Sequence, residues 1–138
     1  MGLVDRIWVA FAALNGAVAV GAGAYASHGL AGDPHAQELF RLAGQYQMWH
    51  ALALIALAAL AWRAAGPARL ALRLAGWLFV AGILLFSGTL YALATTGPLP
   101  VGMTAPTGGF AFMLGWVAVV GAAALSGRRP VGEHAEER

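Results

Sequence analysis

Few side chains in this sequence could do chemistry, and they arrive in spaced groups. His28 closes the stretch GAGAYASHGL, Tyr46, Gln47 and His50 fall within QYQMWHALAL, Ser87 and Tyr91 fall within LLFSGTLYAL, and Thr107 opens a last apolar run. Tyr46 and Gln47 stand four and three residues before His50, so the three share a helical face; Ser87 and Tyr91, four apart, share another.

Several chemistries are open to such a set. His28 and His50 could form a bis-histidine haem or metal site, but two imidazoles without a carboxylate or thiolate are an incomplete ligand set, and no metal or cofactor is assigned. Ser87 could attack with His50 as its base, yet no buried acid is available to orient that base, and no catalytic residue is assigned. Proton coupling would ask for an embedded Asp, Glu or Lys, and His50 is the one ionisable candidate. The preferred reading is structural: hydrogen bonds across helices, worth roughly 0.6 kcal/mol each and rarely above about 2.

The elements that must position these groups follow from composition. Of 138 residues, 60% are hydrophobic and only 10% charged, far below the roughly 25% charge of soluble domains. This is the composition of a membrane protein. No cysteine is present, which removes disulfides, thiolate metal sites and a cysteine nucleophile. The net charge of +2 could suggest nucleic acid, but the arginines flank apolar runs instead of forming a basic stripe with interleaved aromatics, so no nucleic-acid partner is expected.

Four windows of about 20 apolar residues, spanning roughly 30 Å of hydrocarbon, are expected to cross as helices: 7–26, 46–62, 74–95 and 107–126. None contains Asp, Glu, Lys or Arg. With four crossings, Arg6, Arg63, Arg69, Arg73, Arg128, Arg129 and Arg138 share one side and Arg41 stands alone on the other, which predicts both termini in the cytoplasm. AYA at 24–26 resembles a signal-peptidase site, but Asp5 weakens the n-region and the charge asymmetry works best with the first span retained. MGLVDR lacks the Ser or Thr of a myristoylation motif.

Between the first two spans, Asp33 before Pro34 is a good helix start, and Ala36, Leu39, Phe40 and Ala43 fall on one face. This predicts an amphipathic interfacial helix over 34–44 that leads into span two with Gly44 near the bend. The transmembrane domain is expected over 1–127, followed by a mobile cytoplasmic tail over 128–138.

Small residues supply close helix contact in lipid. Ala12, Gly16, Ala19, Gly23 and Ala26 form a stripe in span one, Gly108, Ala111, Gly115, Ala118 and Ala122 form another in span four, and Gly88 shares a face with Ala81, Ala92 and Thr95. Their 3.5-residue spacing predicts an all-α, compact four-helix bundle, packed within the chain or against a second copy as a homo-oligomer. Depth then collects His28, Tyr46, Gln47, His50, Ser87, Tyr91 and Thr107 in the outer half of the bundle, with Asn15 near the middle of span one.

Together GAGAYASHGL, QYQMWHALAL, LLFSGTLYAL and TAPTGGFAFMLGW, from Ile7 to about Leu125, resemble the YgdD-like small membrane proteins (domain of unknown function 423), a family with relatives in bacteria and animals. The resemblance implies a four-span protein of the bacterial inner (plasma) membrane and implies no activity. Its signature positions carry over to Gly23, Ala24 and His28; Tyr46, Gln47 and His50; Phe86, Ser87, Gly88, Leu90 and Tyr91; and Pro106, Gly108, Gly109, Gly115 and Trp116. This sequence departs from the pattern at Ala26 and Ser27, at Gln45, where the family often has an acid, and at Ala105, where it has a Thr that would cap span four. Thr104 or Thr107 is expected to replace that cap.

Three functions compete. The first is a small scaffold or accessory protein whose partners include membrane lipids; the others are a homo-oligomeric transporter or channel for a small solute, and a haem- or metal-binding membrane protein.

Overall fold

The computed structural model describes residues 1–97 and 104–126, all of them in helices or short connections, with no strand among the described residues. The elements are α1 (Leu3–His28), α2 (Pro34–Arg63), α3 (Gly66–Gly82), a single π-helical turn (Ile83–Ser87), α4 (Gly88–Thr96) and α5 (Thr104–Ser126). From α3 through the π turn to α4 the helix is one rod, Gly66–Thr96. The expected tail over 128–138 lies outside the described residues.

Helix ends are set where the sequence provides for them. Asp33 accepts the Ala36 N–H at 3.0 Å and Pro34 opens α2, the pairing that satisfies a first-turn donor and places Pro where its missing N–H costs nothing. Gly66, with φ of +56°, lets the chain turn from α2 into α3 with two intervening residues. Gly97, with φ of +76°, ends α4.

Among the described residues, three helices, α1, the Gly66–Thr96 rod and α5, are long and apolar enough to cross a membrane. The expected second span is less apolar because Tyr46, Gln47 and His50 stand in it. It is also not a separate element: α2 runs unbroken from Pro34 through Gly44 to Arg63, so the expected interfacial helix and second span form one helix with no break at Gly44. Gly44 packs against α1 and α4, where an added Cβ would stand 3.4 Å from the Ala19 carbonyl and from the Tyr91 hydroxyl.

The most extensive helix pairs are α1 with α2 and α3 with α5, and α2 joins them by packing on α3, the π turn and α4. Inside lie two apolar clusters, one around Trp8, Ala12, Ala51, Leu54 and Ala58, the other around Leu57, Leu72, Phe79, Ile83 and Phe112. Outside, Leu14, Val20, Leu70, Val117 and Val120 stay exposed, a surface suited to acyl chains.

Aromatic side chains enter glycine gaps on neighbouring helices. A Cβ at Gly76 would strike the Trp8 ring, one at Gly82 the Phe112 ring, and one at Gly115 the Phe79 ring at 2.5 Å. Gly108 differs in kind, because there the obstacle is the backbone N of Phe86. In a bundle where apolar burial is not the driving force, these gaps give the rings their dispersion contacts.

Two expected packing glycines fall elsewhere. Gly88 is exposed with nothing within 4 Å of an added Cβ, because the π turn before it, closed by the Gly88 N–H to the Ile83 carbonyl, takes an extra residue and rotates the rest of the rod by about 100°. Gly23 likewise has open space beside it. On α1 the buried edge runs Ala12, Ala19, Ala22, Ala26, which keeps Ala12, Ala19 and Ala26 of the expected stripe and adds Ala22 in place of its two glycines. Gly16 meets only the Met48 sulfur, at 3.9 Å.

At the opposite end from the α1/α2 connection, an ion pair joins α1 to α3. Asp5, fully buried, accepts from the Arg73 guanidinium at 3.0 Å and from the Gly2 N–H at 2.9 Å. Arg73 also lies 5.7 Å from the centre of the buried Trp8 ring, whose neighbour is the edge of Trp77. In the sequence Asp5 is a weak point of an n-region and Arg73 a topology signal. The expected topology, which puts the start of the first span and the start of the third on one side, was the available sign that they could pair.

Candidate functional site

The polar side chains meet along α2, which bonds to α1, to the π turn, to α4 and to α5. Tyr91 donates its hydroxyl to Gln47 Oε1 at 2.7 Å, Gln47 Nε2 donates to Asn15 Oδ1 at 2.7 Å, and Asn15 Nδ2 donates to the Phe11 carbonyl at 2.8 Å. One chain of hydrogen bonds thus crosses from α4 through α2 to α1. Asn15 was the member that spacing within a helix left isolated. Its position held a clue: it lies thirteen residues before His28 at the end of α1, and Gln47 lies thirteen after Pro34 at the start of α2, so an antiparallel hairpin brings them level.

His50 is held from both ring nitrogens. Nδ1 lies 2.8 Å from the Tyr46 carbonyl, which can only accept, so Nδ1 carries the proton; Nε2 then accepts from the Trp116 indole N–H at 3.2 Å. The ring stacks on Phe112 at 3.5 Å between centroids and meets the edge of Phe79 at 5.1 Å. A base or metal ligand needs a free imidazole lone pair, and the one on His50 is committed to Trp116.

Ser87, 1% exposed, donates to the Ala43 carbonyl of α2 at 2.9 Å. Its hydroxyl is therefore engaged with backbone and not with His50, and the two do not form a nucleophile–base pair. Thr89 donates to Thr104 at 2.9 Å, tying α4 to the start of α5. Thr107 is exposed in the first turn of α5.

The structure divides the expected cluster into three contacts on α2, Tyr91 with Gln47, His50 with Tyr46 and Trp116, and Ser87 with the Ala43 carbonyl, and it leaves His28 apart. His28 is exposed at the last residue of α1. Gln37 Nε2 donates to the Ala26 carbonyl at 2.9 Å, so α2 closes over α1 before His28 is reached and leaves that ring outside. The bis-histidine arrangement is not formed. Phe40, whose ring lies between Tyr25 and Tyr91 at 5.3 and 4.8 Å, completes the packing there.

A groove of about 450 Å³ opens between α2 and α5, lined by Tyr46, Trp49, His50, Phe110, Met113 and Trp116 among others. Its walls are mostly apolar rings, with the His50 and Trp116 nitrogens already bonded to each other. The arrangement can hold helices in register; Tyr91, Gln47, Asn15, His50 and Ser87 leave it no free acid, base or nucleophile among themselves.

Removing one link of the chain should cost little and leave the fold intact. Tyr91→Phe is expected to lower stability by about 0.6 kcal/mol and by less than about 2, read as the shift of the unfolding transition in detergent. A loss several times larger would show that the hydroxyl does more than join α4 to α2.

The arrangement occurs in a chain with many relatives. Residues 22–109 match the family model described as "Protein of unknown function (DUF423)". The chain is 40% identical over 121 residues, 86% of its length and 96% of the relative's, to the UPF0382 membrane protein YwdK of Bacillus subtilis. It is 37% identical over 117 residues, 83% of its length and 93% of the relative's, to the UPF0382 membrane protein SAB0533 of Staphylococcus aureus. The UPF0382 membrane protein SERP0230 of Staphylococcus epidermidis is 36% identical over 117 residues, 83% of this chain and 93% of the relative. No solved structure matches significantly.

Proposed function

The chain belongs to the DUF423 family, and from that premise we propose that it is a small scaffold or accessory protein of the bacterial inner (plasma) membrane, without catalytic chemistry of its own. The observation that carries this is the use made of the polar side chains. Tyr91, Gln47 and Asn15 are joined in one chain of bonds, His50 is bonded at both nitrogens, and Ser87 is bonded to backbone. Groups spent on holding helices together are poor candidates for binding and releasing a substrate.

In this reading the chain crosses the membrane four times as a four-helix bundle, with both termini cytoplasmic. The ion pair of Asp5 with Arg73 supports a common basic end for α1 and α3, and Arg63 and Arg69 lie beside the short connection that joins α2 to α3. At about 1.5 Å per residue, the 30 residues of α2 reach about 45 Å, longer than a hydrocarbon layer of roughly 30 Å. Its first turns, 34–44, then lie at the outer interface, where Asp33, Glu38 and Arg41 meet water.

Two measurements test the reading. The absence of native cysteine permits single-cysteine labelling: Thr96→Cys is expected to react with an impermeant maleimide in intact cells, and Gly2→Cys only after permeabilisation. In sealed proteoliposomes the protein is expected to pass protons, potassium and phosphate no faster than protein-free vesicles do. Flux of any of these by the wild type that His50→Ala abolishes would replace the scaffold with a transporter.

A further inference from the structure

A second cleft lies at the basic end of the bundle, away from the polar network. It has a volume of about 330 Å³ and is lined by Leu60, Arg63 and Ala64 of the α2 end, Leu72 of α3, and Val119 and Ser126 of α5, among others. Leu60, Ala64, Leu72 and Val119 make an apolar trough, and Arg63 is the cation on its rim.

The charge of Arg63 is not answered within the described structure. Its guanidinium is exposed, and the one salt bridge among the described residues consumes Asp5 on Arg73. Asp33 and Glu38, the other acids among the described residues, stand at the far end of α2. The Ser126 hydroxyl is bonded back to the Ala122 carbonyl at 2.8 Å, so Arg63 is the group on the rim with charge to offer. α3 begins three residues later with no side-chain cap on its first turn, which adds a positive helix end nearby. Trp62, exposed beside Arg63, is of the type that sits at headgroup level.

An apolar trough rimmed by an unanswered cation is complementary to an amphiphile with a negative head. A free anion would leave the trough empty, and a zwitterionic lipid would bring its own cation beside Arg63. We infer that this cleft binds an anionic phospholipid, its phosphate on Arg63 and part of an acyl chain along Leu60, Leu72 and Val119. Basic pockets between membrane helices near the cytoplasmic face take such headgroups by the same complementarity. The inference rests on the proposed membrane topology, but not on the scaffold role.

The test is native mass spectrometry of the full-length protein released from detergent micelles doped with equal amounts of phosphatidylglycerol and phosphatidylcholine of identical acyl chains. Phosphatidylglycerol is expected to be retained in preference. Arg63→Gln is expected to reduce that preference about five-fold, the effect of one arginine near an anionic surface; Arg63→Lys should keep most of it, and Arg41→Gln, at the other end, should leave it unchanged. Arg63 is exposed, so its variants should fold, which an unchanged unfolding transition would verify. Equal retention of the two lipids, a preference untouched by Arg63→Gln, or its equal loss in Arg41→Gln would overturn the proposal. Millimolar inorganic phosphate that displaces the lipid signal would likewise reassign the site to a free anion. Failure of the cysteine-labelling pattern would refute the topology separately from any of these outcomes.

Discussion

Arg73→Ala is expected to destabilise the folded protein by about 3–5 kcal/mol, the cost of stranding a buried charge. The magnitude follows from the asymmetry of the pair. Asp5 is fully buried while Arg73 keeps 23% of its side chain exposed, so removing the arginine leaves a carboxylate that cannot reach water, whereas removing the acid leaves a cation that can. Asp5→Asn should therefore cost less than Arg73→Ala. Part of the larger loss also comes from Trp8, over whose ring Arg73 lies. The Trp8 indole N–H has no hydrogen-bond partner among the described residues, so shape and Arg73 hold the ring in place. In a double-mutant cycle read by unfolding in detergent, Asp5→Asn and Arg73→Ala together should cost less than the sum of the two. Additive losses, or an Arg73→Ala protein as stable as wild type, would mean that the pair does not tie α1 to α3.

Gly108→Ala should be the most damaging single-methyl change in the bundle, costing about 3 kcal/mol or more, at or beyond the upper range for overpacking. The added Cβ would meet the backbone of Phe86. A side chain can rotate away from such contact, but here the obstacle is main chain inside the π turn, so α5 must move out or the turn must rearrange. Gly115→Ala meets the Phe79 ring instead, which can pivot, and should cost less. Gly88→Ala meets nothing within 4 Å and gains helix propensity; it should lie within about 0.5 kcal/mol of wild type. The three variants ranked by unfolding midpoint are the check, and a Gly108→Ala protein no less stable than Gly88→Ala would remove the close crossing of α5 on the π turn.

Much of the polar network could be read from spacing. Ser87 and Tyr91 share a face because four residues bring side chains level on a helix, and both bond to α2; Gln47 and His50, three apart, bond to different helices. What spacing could not supply was the partner of each group. His50 bonds Trp116, 66 residues away, and Asp5 bonds Arg73, 68 away; no periodic pattern links positions so distant. Gly88 shows a different limit. Its expected face assumes a uniform turn, and one π turn immediately before it was enough to change which way it points.

Composition and the charge-free apolar runs therefore determined by themselves the all-helical and membrane-compatible character of the chain, because transfer into hydrocarbon depends on which residues a segment contains and hardly on their neighbours in space. The tertiary structure alone decided which edge of α1 meets α2, which glycines receive a ring, that His28 stands outside the polar network, and that Asp5 has a partner. Periodicity specifies a face only relative to its own helix. The rotation of each helix about its axis, and its register against the next, are set by contacts such as Asn15 with Gln47 and Gly108 with Phe86, which come into being only when the helices pack.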